Sequence, residues 1–145
     1  ANPKTALEAK FSLQFAMASA IVAGNVGLGQ LVDEFVCDPV VQSLFARVNW
    51  TTTDETLDGS AFAPSESVDV VTKDGRTLSS EVIAYAKGNM QRPFTKEDLF
   101  DKFSECLGED YNLDRKSLLF ETLLNIESTG DIKEIIQGLC VVSAL

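Results

Sequence analysis

Histidine is missing from all 145 residues. That absence excludes a Ser/His/Asp triad, a Cys/His pair and any His-ligated metal within the chain. An acid or base here must be a carboxylate, a lysine, a cysteine or one of the two tyrosines. Cysteine is scarce as well. Cys37, Cys106 and Cys140 are odd in number, far apart and without a Cys-x-x-Cys pair, which excludes a dithiol or zinc motif and predicts buried free thiols. Basic residues are few, 12 against 22 acidic, and the net charge of −10 repels nucleic acid and anionic membrane surfaces. Neither is expected as a partner. The first residues, ANPKTALEAK, lack the basic-then-apolar pattern of a signal peptide, so a cytoplasmic location is expected. Gly24-x-x-Gly27-x-Gly29 follows a helical pattern and has no Gly-Lys-Ser/Thr ending, so it is no nucleotide loop. Asp54, Glu55 and Asp58 beside Gly59 lack the alternating ligands of a calcium loop. No cofactor and no metal is expected.

What is abundant is apolar surface in one place. In Phe11 to Ala23, FSLQFAMASAIVA, the only polar side chains are Ser12, Gln14 and Ser19, and none is charged. A helix apolar on every face must be packed on several sides at once. At 13 residues it is too short to span a bilayer. The stretch predicts a central core helix, entered either through a Thr5-x-x-Glu8 capping box or through a cap on Ser12.

Glycines 24, 27 and 29 then break the pattern, and a short helix is expected within Leu28 to Val36. Asp38-Pro39 restarts it, Asp as cap and Pro at the first helical position, with Val41, Leu44, Phe45 and Val48 inward. From Val48 to Thr53 the period becomes two, which predicts a half-buried strand. Asp54 to Ser67 reads as a loop. Val68 to Thr72 and Arg76 to Tyr85 predict a hairpin across Lys73-Asp74-Gly75. A two-residue turn would pair Val71 with Leu78, whereas a three-residue turn with Gly75 left-handed pairs Val70 with Leu78 and gathers Val68 and Val82 on the same face. The second is expected.

Lys87 to Pro93 reads as a loop. Phe94-Thr95-x-x-Asp98-Leu99 opens a helix with a cap and a hydrophobic staple, Leu99, Phe103, Cys106 and Leu107 form its inward stripe, and Gly108 ends it. A further helix is expected from Leu113 to Glu127 with Leu119, Leu123 and Ile126 inward, and a last one from the Asp131-x-x-Glu134 box to about Gly138. The tail Leu139 to Leu145 is nearly all apolar and must be packed in a groove or continue into something longer. The fold class is α+β: helices packed on a small antiparallel sheet containing Val48 to Thr53 and the hairpin, followed by C-terminal helices, all in one domain spanning 1–145.

The run EAKFSLQFAMASAIVAGNVGL, from Glu8 to Leu28, resembles the "AKFSLPY...A" signature of the MmgE/PrpD family, which includes 2-methylcitrate dehydratase, cis-aconitate decarboxylase and iminodisuccinate epimerase. DEFVCDPVVQSLFARV, KDGRTL and AKGNMQRPFTKEDLFDKF extend the resemblance over nearly the whole chain. It implies the C-terminal lid portion of a lyase or isomerase acting on a small di- or tricarboxylic acid, with residues 112–145 as the helices that return to a large helical domain. That upstream domain would be a partner and would carry the main catalytic residues, so this chain alone is expected to be inactive and no catalytic residue is assigned within it. The alternative is a stand-alone, non-catalytic interaction module that keeps the lid fold. A homo-oligomer is expected in either case.

The resemblance also suggests substrate-binding residues. Lys10 and Ser12 flank the signature and can hold a carboxylate by charge and hydrogen bond; the competing reading is a solvated lysine and a helix cap. Phe15 stands where cis-aconitate decarboxylase and similar members have a tyrosine, so it can shape a pocket but cannot donate a proton. The loop Lys87-Gly88-Asn89-Met90-Gln91-Arg92-Pro93 resembles the family's "PKGDPENP" loop, with Ala86 in place of its first proline. Asn89 and Arg92 can touch an anion there. The competing reading is a connection that needs glycine and proline to turn.

Overall fold

Ser12 and Gly24 bound the longest apolar helix. The Ser12 hydroxyl accepts the Phe15 N–H at 3.2 Å, and Gly24, at φ 67°, closes the other end on the Ala20 carbonyl. The computed structural model describes residues 2–57 and 62–140, and its contacts divide the chain into two units, Ala1–Thr56 and Leu57–Leu145.

The first unit is helical. Its elements are α1 (Ala6–Ala9), α2 (Leu13–Ala23), α3 (Asp33–Val36) and α4 (Pro39–Phe45). Thr5 caps α1 by accepting from Glu8 N–H, but the Glu8 carboxylate takes the Lys4 N–H at 2.7 Å, so the box is half made. Asp33 Oδ1 accepts the Ala6 N–H at 2.7 Å and ties α3 to α1. Asp38 caps α4 as its Asp-Pro pair predicts, accepting from Val40 and Val41. Ala9, Phe15, Ala18, Val36, Val41 and Phe45 form the core, with Leu31, Phe35 and Leu44 packed against them. Each large side chain so buried is worth about 1.5–3 kcal/mol. Buried Ser19 is satisfied by donating to the Asn25 carbonyl at 2.6 Å.

The described residues cover α2 only in part. Only Phe15, Ala18 and Ser19 on α2 are buried, while Leu13, Ile21 and Val22 are exposed, as is Phe11 just before it. Four short helices supply one packing surface. Val48 to Thr53 is not a strand either, and Trp50 is exposed. Its alternation provides a suitable face, but a strand also needs a neighbour for its N–H and C=O groups, and no described strand pairs with it.

The second unit holds β1 (Asp69–Val71), β2 (Thr77–Ser79), α5 (Lys96–Leu107), α6 (Leu113–Leu124), a 3-10 turn (Ile126–Ser128) and α7 (Ile132–Leu139). The described elements of the chain are thus α+β, with a two-stranded antiparallel sheet. Val70 pairs with Leu78, and Gly75 sits at φ 83° in the expected three-residue turn. Further out, the Ser80 N–H donates to the Val68 carbonyl while Glu66 pairs with Ile83, so the second arm has one residue more. That bulge turns Val82 off the expected face and brings Ile83 onto it, because one extra residue inverts the alternation. All six strand residues stay exposed. Replacing Gly75 with Ala is expected to cost about 1 kcal/mol, since the space around it is open and left-handed φ is the whole penalty. A chemical denaturation midpoint unchanged within error would show that the turn relaxes at no cost.

In α5 the Thr95 box is complete, Thr95 accepting from Asp98 N–H at 3.1 Å and Asp98 from Thr95 N–H at 3.0 Å. The inward stripe differs from expectation. Phe100 and Phe103 meet Phe120 of α6 at 5.2 and 5.5 Å between ring centroids, while Leu99 and Cys106 are exposed. The helix rotates to bring two aromatic rings onto a third. α6 stops at Leu124, earlier than expected, because Asn125 closes it and the chain tightens into the 3-10 turn, leaving Ile126 exposed. Leu119 and Phe120 are buried, and Ile135 of α7 with them. Asp131 caps α7 through Lys133 N–H. Its C-terminal carbonyls are held from the start of α6: Tyr111 donates to Leu139 O, and Arg115 donates to Gly138 O and Cys140 O at 2.9 and 2.8 Å while lying over the Tyr111 ring.

The three cysteines are free but exposed, contrary to the buried thiols expected. Cys37 and Cys140 sit at helix ends and Cys106 on the outer side of α5, where helix phase turns them from the core. Asp58 and Gly59 of the acidic loop, and residues 141–145 of the apolar tail, lie outside the described residues. No described helix is long and apolar enough to cross a membrane.

Candidate functional site

Lys10, Ser12 and Phe15 are brought together where α1 passes into α2. Lys10 is the C-cap of α1, and its exposed side chain makes no ion pair with any described residue. Ser12 is half-buried, accepting from Phe15 N–H and donating to Gln14 Oε1 at 3.2 Å. Its only proton is therefore committed, and it must turn from Gln14 to serve a carboxylate. Phe15 is 1% exposed, its ring edge-on to Phe35 with centroids 6.2 Å apart. It supports this corner from within the core.

Asn89 and Arg92 share one tightly tied turn in the second unit. Gly88 N–H donates to Arg92 O at 2.7 Å, Arg92 N–H to Asn89 O at 2.9 Å, and Asn89 N–H to Ala86 O at 3.1 Å. Asn89 Oδ1 accepts the Gln91 N–H at 2.9 Å with one lone pair, and the Asn89 side chain keeps its second lone pair and its N–H donors to offer a ligand. Gly88 is at φ 95°, and a Cβ there would stand 2.5 Å from the Phe94 ring, which explains why this position must be glycine. Both the conformation and the close packing demand it.

Two features of this turn were not legible in the sequence. Lys87 Nζ bonds to Asp98 Oδ1, anchoring the turn to the first helical turn of α5. That bond, with the Thr95 N–H, holds the Asp98 carboxyl below its ordinary pKa. Eleven residues separate the pair, and no periodic rule joins a loop lysine to an N3 aspartate. The second feature is the tip: Met90 is 93% exposed. Nearby, α5 and α6 enclose an open groove of about 360 Å³ with Phe100 and Phe120 in its lining and the Lys96–Glu121 ion pair at 2.6 Å. No cluster of three metal-ligating side chains occurs among the described residues.

The arrangement so far offers two small groups of exposed donors in a chain that is acidic overall. The model of the MmgE/PrpD C-terminal domain matches residues 1–126. The chain belongs to the MmgE/PrpD family. No curated protein matched it. All five candidate residues lie inside the MmgE/PrpD match, whereas α7 and the Arg115-held carbonyls at its end fall beyond residue 126.

Proposed function

We propose that this chain acts as the lid portion of an MmgE/PrpD-type lyase or isomerase whose substrate is a small di- or tricarboxylic acid. The family match over residues 1–126 carries the reading. The chemistry of the chain is compatible with it. Asn89 and Arg92 present hydrogen-bond donors, which suit the acceptor-only oxygens of a carboxylate. In the first unit, taken by itself, Lys10 offers a cation at the end of α1, with Ser12 and Phe15 following in the chain. In this reading the main proton-moving groups come from an upstream domain, and no catalytic residue is assigned within this chain. A large helical domain is the partner that supplies them, and it also covers the apolar face of α2.

Turnover measurements test this directly. The chain alone is expected to leave 2-methylcitrate, cis-aconitate and iminodisuccinate unchanged, and turnover of one of them is expected when a matching helical domain is added. Turnover by the purified chain alone would refute the division of labour. Tight assembly with the helical domain but no turnover of any di- or tricarboxylate would favour a non-catalytic interaction module.

A further inference from the structure

Aspartate before glycine is the pair most prone to backbone isomerisation, because glycine brings no Cβ to hinder the approach of its nitrogen to the aspartate side chain. Asp74-Gly75 is such a pair, on the exposed turn of the hairpin. In the reaction the Gly75 nitrogen attacks the Asp74 carboxyl carbon, and the amide proton and the carboxyl hydroxyl leave as water. Water then opens the five-membered imide at the former main-chain carbonyl, and the chain runs on through the Asp74 side chain with one extra backbone atom. Crowding does not prevent this, since even a Cβ placed on Gly75 would meet nothing within 4 Å.

Both reacting groups are nonetheless occupied. The Thr72 hydroxyl donates to Asp74 Oδ1, and Arg76 Nε donates to Asp74 Oδ2 at 2.7 Å, so each carboxyl oxygen is held. The Gly75 N–H donates to the Thr72 carbonyl at 3.0 Å. Only a protonated carboxyl can lose its hydroxyl, and the hydrogen bonds from Thr72 and then Arg76 hold Asp74 below its ordinary pKa. Closing the imide therefore requires the carboxyl to turn from both partners and the Gly75 nitrogen to leave Thr72.

We infer that Asp74-Gly75 is a latent isomerisation site which Thr72 and Arg76 hold closed. The length of the turn sets the strand register, so an extra backbone atom there releases the pairing of Val70 with Leu78. Thr72 and Arg76 thus keep the hairpin in register as the protein ages.

Isoaspartate at residue 74 is read by fragment-ion mass spectrometry after the whole chain is aged at neutral pH and body temperature, beside a peptide spanning Val71 to Leu78. The folded chain is expected to isomerise at least about tenfold more slowly than the peptide, and Thr72→Val and Arg76→Gln each to speed it about two- to tenfold, the factor for one net hydrogen bond. Salt, which screens the exposed Arg76–Asp74 pair, is expected to speed the parent chain but not Arg76→Gln. A substitution that merely loosened the turn would not produce that difference. Asp58-Gly59 is the same dipeptide elsewhere in the chain, and its rate, read in the same spectra, should respond to neither substitution. A folded chain that isomerises as fast as the peptide, or variants no faster than the parent, would overturn the inference. An equal salt response in the parent and Arg76→Gln, or an equal rise at Asp58, would overturn the role of the two side chains.

Discussion

Replacing Phe15 with Ala is expected to destabilise the first unit by about 3–5 kcal/mol, the range for emptying a buried aromatic site. The ring is 1% exposed, meets Phe35 edge-on, and shares a small apolar core with Ala9, Ala18, Val36, Val41 and Phe45. So small a core has few neighbours that can close the cavity. Phe15→Tyr is the more informative variant, because tyrosine occupies the matching position in members such as cis-aconitate decarboxylase. Here the added hydroxyl enters a packed interior, and a cost of about 1–3 kcal/mol is expected unless it finds a partner. Urea unfolding followed by far-ultraviolet circular dichroism checks both. A near-neutral Phe15→Ala would mean the ring is not part of the folded core. A near-neutral Phe15→Tyr would mean the corner opens to a hydroxyl, and would restore this position as a direct substrate contact.

Sedimentation of the isolated chain should show a dimer or larger species at micromolar concentration. Leu13, Ile21 and Val22 of α2 are exposed together with Phe11, Val26, Leu28 and Val32, and no charge occurs from Phe11 to Val32. Large contiguous apolar patches are uncommon on isolated monomers. Covering it gains about 25 cal/mol per Å², partly offset by the entropy of association. The net charge of −10 acts against assembly. It is screened over about 8 Å at physiological salt and is the weaker effect. Ile21→Asp is expected to weaken association at least about 100-fold, since it removes an apolar contact and places a carboxylate where no cation waits. Ile21 is 57% exposed, so the variant should fold as the parent does. A chain that stays monomeric at high concentration and binds little apolar dye would defeat this prediction. Under the proposed function, the helical domain would compete with self-association for the same face.

Local chemistry was readable from the residues alone wherever a signal and its response lie within one turn. Ser12, Asp38, Thr95 and Asp131 cap the helices they were expected to cap, because a cap needs only a side-chain oxygen two or three residues from an unpaired N–H. The three-residue hairpin turn and the Val70–Leu78 register were legible for the same reason, since glycine at left-handed φ and a period of two are both local. The family, too, could be recognised from contiguous motifs.

What failed depended on partners distant in sequence. Val48 to Thr53 has the alternation of a strand, but alternation provides no neighbour, and without one the segment stays irregular. The stripe of α5 was misplaced by one position, because Phe100 rather than Leu99 is chosen by the Phe120 ring on another helix. Lys87 to Asp98, and Arg115 and Tyr111 to the end of α7, are contacts between segments distant in sequence that no repeat foretells. The sequence determined where the side-chain-capped helices start, how the hairpin turns and which family the chain belongs to, but not where α3 begins, since Val32 offers no capping oxygen. Only the tertiary structure decided which apolar faces are covered, and it left most of α2 open, because burial depends on what the fold brings alongside and not on how apolar a segment is.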